Sequence, residues 1–343
     1  MVQAYETETG SGDPGDRLTR SRSRARRLLD GWRGEHDIWR RGLLVAASAV
    51  SIALLMIFHA QVPNRIGNMG SLNETFLPWL GLLFIPLLLV AALWRRSATA
   101  LIVLLLPTVV WFNLFGGLLT DKSTGGGDLM VATHNVNAEN PDPSGTAKEV
   151  AASGADVLAL QELPQGQVDT YRKALAETYD HHVVQGTVGL WSKYPLVDSS
   201  PVEIRVGWTR AMRSTVQTPK GDVAVYVAHM PSVRVKMHAG FTANQRDNSA
   251  DALGEAIARE RISKVVLLGD LNGTMNDRAL NAVTSQMRST QGAAGDGFGF
   301  SWPASFPLAR IDQIMVKGVE PVSSWTLPRT DSDHLPIAAR VVL

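Results

Sequence analysis

The chain of 343 residues carries 33 Lys and Arg against 32 Asp and Glu and contains no cysteine. The missing thiols exclude disulfides, thiolate metal sites and a cysteine nucleophile. The length holds one large domain and something more, and the near-neutral total hides an uneven distribution of charge.

Residues 1–16 are polar and rich in Gly, Ser and Asp, a composition expected to stay disordered. Residues 17–41 hold nine Arg, at 17, 20, 22, 24, 26, 27, 33, 40 and 41, and are expected to form a basic helix near a membrane surface. Three apolar stretches follow without interior charge: 43–58, 76–94 and Ala98 to about Leu119. A helix needs about 20 residues to cross a bilayer core. The second and third stretches have that length, and the first reaches it with His59 and Ala60. The expectation is a three-helix transmembrane anchor over 43–120, with buried core helices or a signal peptide as the alternative. Positive charge favours the cytoplasmic side. The basic N-terminus, the first loop with Arg65 alone and the second loop opening on Arg95-Arg96 therefore predict a multi-pass plasma-membrane protein. Residues 1–42 would lie in the cytoplasm and the chain after 120 outside.

Residues 121–128, D-K-S-T-G-G-G-D, read as a flexible tether. From 121 to 343 there are 21 Lys and Arg against 24 Asp and Glu, a net charge of −3. A nonspecific DNA binder usually carries a basic face, so nucleic acid is the weaker choice of partner.

The domain expected over 128–343 alternates strand and helix patterns. Strands are predicted at 129–133, 156–161, 182–191, 202–206, 265–268, 311–316 and 337–343. Residues 214–229 form a hairpin about Pro219–Asp222. Helices are predicted at 144–153, with Ser144 as N-cap, near 165–178, at 242–261 and at 275–287. The alternation indicates a mixed α/β fold with sheets in the middle and helices outside.

Six short pieces follow apolar strand-like runs: T-H-N-V-N (133–137), L-Q-E-L (160–163), A-H-M-P (228–231), G-D-L-N (269–272), R-I-D-Q-I (310–314) and S-D-H-L-P (332–336). Together they offer the carboxylates, amides and histidines suited to phosphoester cleavage with a hard cation. Glu162 at a strand tip supplies oxygen to Mg²⁺ or Mn²⁺. Asn135 with Asn137, and Asp270 with Asn272, are two residues apart and so share a strand face. Gly269 permits close backbone approach. A surface Glu, Asn turn caps and ordinary packed histidines are the alternative for each piece taken alone.

In this order the six pieces resemble the endonuclease/exonuclease/phosphatase superfamily, the DNase I-like fold, across about 128–343. The resemblance implies a four-layer α/β sandwich with its site at one end of two packed sheets. It implies that Glu162 holds the metal, with Asn137 and Asp333 as further contacts, and that Asn135 binds phosphate or orients Glu162. It also implies that Asp270 positions or deprotonates water and that Asn272 bonds a phosphoryl oxygen. His334 would pair with Asp312 for acid/base work, and His229 would help the leaving oxygen. Arg210 and Arg213 in the turn 207–213, and Arg246 at a helix start, are candidate phosphate ligands. His134 receives no role, and His36, His59, His181, His182 and His238 read as incidental.

Three spans followed by this domain are similar to VanJ-type proteins associated with teicoplanin resistance. That similarity implies a lipid-linked (pyro)phosphate of the cell envelope as substrate. The alternatives are an extracellular nuclease and a non-catalytic binding protein on the same scaffold. No protein partner is expected.

Overall fold

The computed structural model describes residues 41–65, 67–233, 235–236, 240–241 and 243–343. The expected disordered tail and all of the basic helix except Arg41 lie outside the described residues, as does His238. By internal contacts the chain forms two units. One holds the described residues up to Ala53 together with Gly81–Val109, and the other holds Leu54–Leu80 and Val110–Leu343.

The first unit is helical. Ala49, Ala92 and Ala100 are fully buried against Leu104, small residues that let helices approach closely. Its outer faces present Leu44, Leu87, Val90, Ile102 and Leu105. Among the described residues, two apolar helical runs are long enough to cross a membrane: Leu77–Trp94, of 18 residues, and Ala98–Leu118, of 21. The expected first span is not confirmed. The helix Leu43–Ile57 has 15 residues, or about 22 Å at 1.5 Å per residue, against a core of about 30 Å. His59–Gln61 is a 3₁₀ turn and Val62 is extended, as the residue before Pro63 prefers. His59 and Ala60 therefore do not prolong the helix.

The second unit contains two six-stranded mixed sheets and their helices, in line with the DNase I-like α/β sandwich. The strands in chain order are β1 (Leu129–Asn135), β2 (Val157–Gln161), β3 (His181–Gln185), β4 (Val188–Ser192), β5 (Leu196–Pro201), β6 (Ala211–Thr218) and β7 (Gly221–His229). They continue with β8 (Val235–Lys236), β9 (Gly240–Phe241), β10 (Val265–Asp270), β11 (Arg288–Ser289), β12 (Asp312–Lys317), β13 (Glu320–Thr326) and β14 (Ile337–Val342). One sheet runs β13-β14-β1-β2-β4-β3 and the other β11-β12-β10-β7-β6-β5. The alternation of side chains along each strand sorts residues between layers. Val131, Val157 and Leu190 meet Val225, Val227 and Leu268 between the sheets. Ala132, Leu158 and Leu160 face the helices Pro143–Ala151 and Val168–Leu175. Ala224, Val265 and Leu267 face the helix Asn244–Ala258.

Several predicted elements change. The run 182–191 is a hairpin of β3 and β4, not one strand. The strand expected at 202–206 lies instead at β5, and 275–287 contains only a 3₁₀ turn, Arg278–Leu280, and the helix Asn281–Thr284. Asp142, not Ser144, caps the helix Pro143–Ala151 by accepting from Gly145 N. Residues 121–128 do not hang free, because Thr124 N donates to Val322 O at 2.6 Å and Asp128 N to Val341 O at 2.8 Å. Part of the expected anchor also packs within this unit: Trp79 Nε1 donates to Leu308 O at 2.8 Å.

Candidate active site

Sheet register delivers the site. In the second sheet Asp270 pairs with His229 of parallel β7 and with Asp312 of antiparallel β12. In the first, Asn135 pairs with Gln161 of parallel β2, so Glu162 is the next residue beyond that strand end. His334 lies three residues before β14 begins. One residue of slip in either register would turn these side chains to the wrong face.

Asn135 bridges the sheets. Its Nδ2 donates to Glu162 Oε1 at 3.2 Å and to Asp270 Oδ2 at 3.0 Å, while its Oδ1 accepts from Asn137 N at 3.1 Å. Glu162 Oε2 accepts from Ala138 N at 3.1 Å, and its Oε1 stands 3.3 Å from His229 Nε2. His334 Nδ1 bonds Asp312 Oδ2 at 2.9 Å, leaving Nε2 at 4.0 Å from Asp270 Oδ2. Asn135, Glu162, Asp270, His229, Asp312 and His334 are thus one connected group.

Three site residues, Asn137, Glu162 and Asn272, have φ of 62°, 59° and 46°. Such left-handed backbone in residues with side chains is costly and gathers at functional sites. It also corrects the shared-face expectation, because Asn137 and Asn272 lie past the strand ends. Asn272 folds back, giving Nδ2 to Met230 O and to Asp270 Oδ2, both at 3.0 Å. Asn137 Oδ1 accepts from Glu139 N at 3.0 Å, while exposed Asp333 borders the same cavity. Gly269 behaves as expected: at φ 149° a Cβ there would fall 1.9 Å from Ala228 O.

Burial pushes the Asp270 carboxyl up to about 7; nearby His334 opposes the rise and Asp312 adds to it. Burial alone would lower His334, but the charge and hydrogen bond of Asp312, helped by Asp270 and Asp333, raise it to about 10. Asp312 is depressed despite its burial, because His334 and Ser301 stabilise the anion. His229 is held well below its ordinary value by burial first, then by Arg210 and His334. The result is a cationic His334 beside a neutral His229 at pH 7, with Asp270 near its midpoint.

Arg210 approaches His229 Nδ1 at 2.6 Å and lies 5.1 Å from the Trp208 ring, so it braces the histidine. Arg213 is bound to Glu260 at 3.0 Å. The substrate contact expected of Arg246 is corrected. Its side chain is fully buried, with Nη1 2.6 Å from Asp277 Oδ2 and donating to Asn272 O at 2.9 Å. It supports the loop that carries Asn272.

Other residues of the site were given no role from the sequence. Ser332 Oγ donates to Asn135 O at 2.7 Å and accepts from His334 N at 3.1 Å, clamping the histidine loop to β1. His134 is buried behind the site on Thr330 Oγ1 at 2.9 Å and is lowered to about 3, chiefly by burial. Thr75 and Phe76, from the segment between the apolar helices, line the site cavity of about 610 Å³ with Glu162, Asp270 and His334. Only assembly of the fold brings those two residues here.

The donor set suits a hard cation, which prefers oxygen ligands. Glu162 presents a partly exposed carboxylate to the cavity. Asp270 and Asp312 bring further carboxylate oxygens close together, and Asp312 Oδ1 has no hydrogen-bond partner.

A model of the Endonuclease/Exonuclease/phosphatase family matches residues 132–334. None of the curated proteins matches the sequence. Among solved structures, the fold is similar to an endonuclease/exonuclease/phosphatase from Beutenbergia cavernae (21% identity, 64% of this chain and 72% of that one, TM-score 0.52). It is similar to a mannosyl-6-phosphatase from Bacteroides thetaiotaomicron (18%, 63% and 100%, TM-score 0.53). It is also similar to TDP2 of D. rerio in complex with a single-strand DNA product (17%, 63% and 99%, TM-score 0.53).

Proposed function

The chain belongs to the endonuclease/exonuclease/phosphatase family, and on that premise we propose that it is a membrane-anchored, divalent-metal-dependent phosphoester hydrolase. Its substrate would be a lipid-linked (pyro)phosphate of the cell envelope, met at an extracytoplasmic face of the plasma membrane. The observation that carries the hydrolase reading is the connected group formed by Glu162, Asn135, Asp270, His229, Asp312 and His334. The membrane reading is supported by two apolar helical runs of 18 and 21 residues whose outward faces carry Leu87, Val90, Ile102 and Leu105. The lipid-linked substrate is supported by the likeness in layout to VanJ-type proteins and by the packing of the segment before Leu77–Trp94 beside the catalytic cavity.

Glu162, with Asp270 near it, would hold Mg²⁺ or Mn²⁺; Asn137 and Asp333 border the same cavity. Once bound, the ion would polarise a phosphoryl oxygen. Asp270, with its midpoint near 7, orients and deprotonates water. His334, kept cationic by Asp312, offsets charge growing on the phosphoryl group. Asn135 and Asn272 fix the Asp270 carboxylate, and neutral His229, braced by Arg210, faces the leaving oxygen. Displacement is in line and needs no protein nucleophile.

Phosphate release from an isoprenyl pyrophosphate with Mg²⁺, measured on the full chain, Glu162→Ala and His334→Ala, tests the reading. Loss in both variants is expected, by roughly 10²–10⁴-fold for the histidine. Equal release from all three rules it out.

A further inference from the structure

A second cavity, of about 350 Å³, lies beside the catalytic one and is lined by Pro78, Phe115, Leu118, Met275, Phe298 and Phe300. Its size falls in the small-molecule range. Aromatic rings build the wall: Phe298 and Phe300 stack at 5.0 Å, and Phe115 meets Phe298 at 6.1 Å. Pro78 and Phe115 also belong to the two apolar helical runs.

The polar end of this cavity is Arg310, at 6% exposure. Ala309 and Ile311 on either side line the catalytic cavity, and Arg310 turns the other way. Its Nη1 donates to Gly299 O at 2.8 Å, while Nε and Nη2 have no partner. A guanidinium keeps its charge in proteins, so Arg310 is a buried cation. Lys122 borders the same space with Nζ on Gly292 O. A buried cation without a counter-charge is costly, and an anion held in the cavity beside Arg310 would offset it. The apolar wall and the unspent guanidinium therefore ask for one molecule with a hydrocarbon chain and an anionic head.

We propose that this cavity binds an anionic lipid drawn from the bilayer, with its chain against Phe115, Phe298 and Phe300 and its head on Arg310. The site is separate from the catalytic group, and it rests on the membrane reading above only for the source of the lipid. Laurate, 1-dodecanol and acetate, titrated separately against the detergent-solubilised full chain and followed by native mass spectrometry, test it. One laurate should bind at least tenfold more tightly than dodecanol, and acetate should not bind measurably. Arg310→Gln should erase the preference for laurate over dodecanol. Gly117→Phe fills the cavity from a position with nothing within 4 Å of an added Cβ, and it should weaken laurate and dodecanol alike. It decides the matter if Arg310→Gln fails to fold. His334→Ala should keep laurate binding, so failure of the hydrolase reading does not remove this readout. Equal affinity for laurate and dodecanol, or laurate binding unchanged in Gly117→Phe, overturns the proposal.

Discussion

Removing the charge of Asp312 isolates what it does for His334. The folded imidazole sits near 10 because a carboxylate 2.9 Å away favours its cationic form over the penalty of burial. In Asp312→Asn that support is gone and only Asp270 and Asp333 still oppose desolvation, so the cation is lost at lower pH. The alkaline limb of kcat should move to lower pH by more than one unit, with a drop of roughly 10²-fold at pH 8. A pH–rate profile matching the wild type would mean that His334 does not act as a cation. The histidine, its carboxylate partner, Glu162 and Asp270 were all legible in the sequence, because each ends an apolar strand run. Arg246 was misread, because a Gln-Arg pair at a helix start looks the same whether the guanidinium faces substrate or Asp277. Ser332 and His134 carry no pattern of their own; their bonds to Asn135 O and Thr330 depend on tertiary contact.

Among the elements, strands were legible where apolar runs were continuous, as at β2 and β10, and were lost where burial alternates weakly, as at β5 and β13. Gly269 pairs with Ala228 of β7 and leaves no room there for a side chain. In Gly269→Ala the new Cβ meets Ala228 O at 1.9 Å with φ at 149°. The strand end must move, at a cost of about 3 kcal/mol, and Asp270 moves with it. Denaturant melting should show that loss together with near-complete loss of turnover; a wild-type midpoint would contradict the packing described here. The segment 59–75 could not be assigned to the catalytic unit from sequence, because its anchors are distant. Arg278 donates to Ala60 O, Val62 O and Asn64 Oδ1, and its backbone N reaches buried Glu74 at 3.3 Å. Burial first, then Asp277, raises Glu74 to about 7 from 4.5. Between those values the fold binds a proton that the unfolded chain releases, so stability falls as pH rises through the window. Glu74→Gln should remove the Glu74 share of that slope in thermal midpoints taken from pH 4.5 to 7.5 and leave the share of Asp270, and a slope as steep as in the wild type would refute the assignment.

For the whole molecule the consequence is that the hydrolase unit does not begin where the homology begins. The family pattern covers 132–334, and sequence reasoning placed the boundary at 128 because a Gly-rich stretch looks like a linker. The compact unit also takes in 54–80 and 110–127. Trp79 stacks on Phe300 at 5.9 Å and bonds Leu308 O, Trp111 Nε1 bonds Pro78 O at 2.9 Å, and Thr274 Oγ1 bonds Glu74 O at 3.2 Å. Cutting the chain at 121 strips these partners at once. Phe298 and Phe300 then face water, which makes an apolar patch of the kind that drives association. Arg278 loses its carbonyl acceptors, and Thr75 and Phe76 no longer border the catalytic cavity. A 121–343 fragment should therefore elute as aggregate in size-exclusion chromatography and melt well below the full chain in detergent. It should also turn over the same substrate more slowly than the full chain. A monomeric fragment with the thermal midpoint and rate of the full chain would show that 54–80 and 110–120 contribute nothing to the unit, and that catalysis needs only the strands and loops after 128.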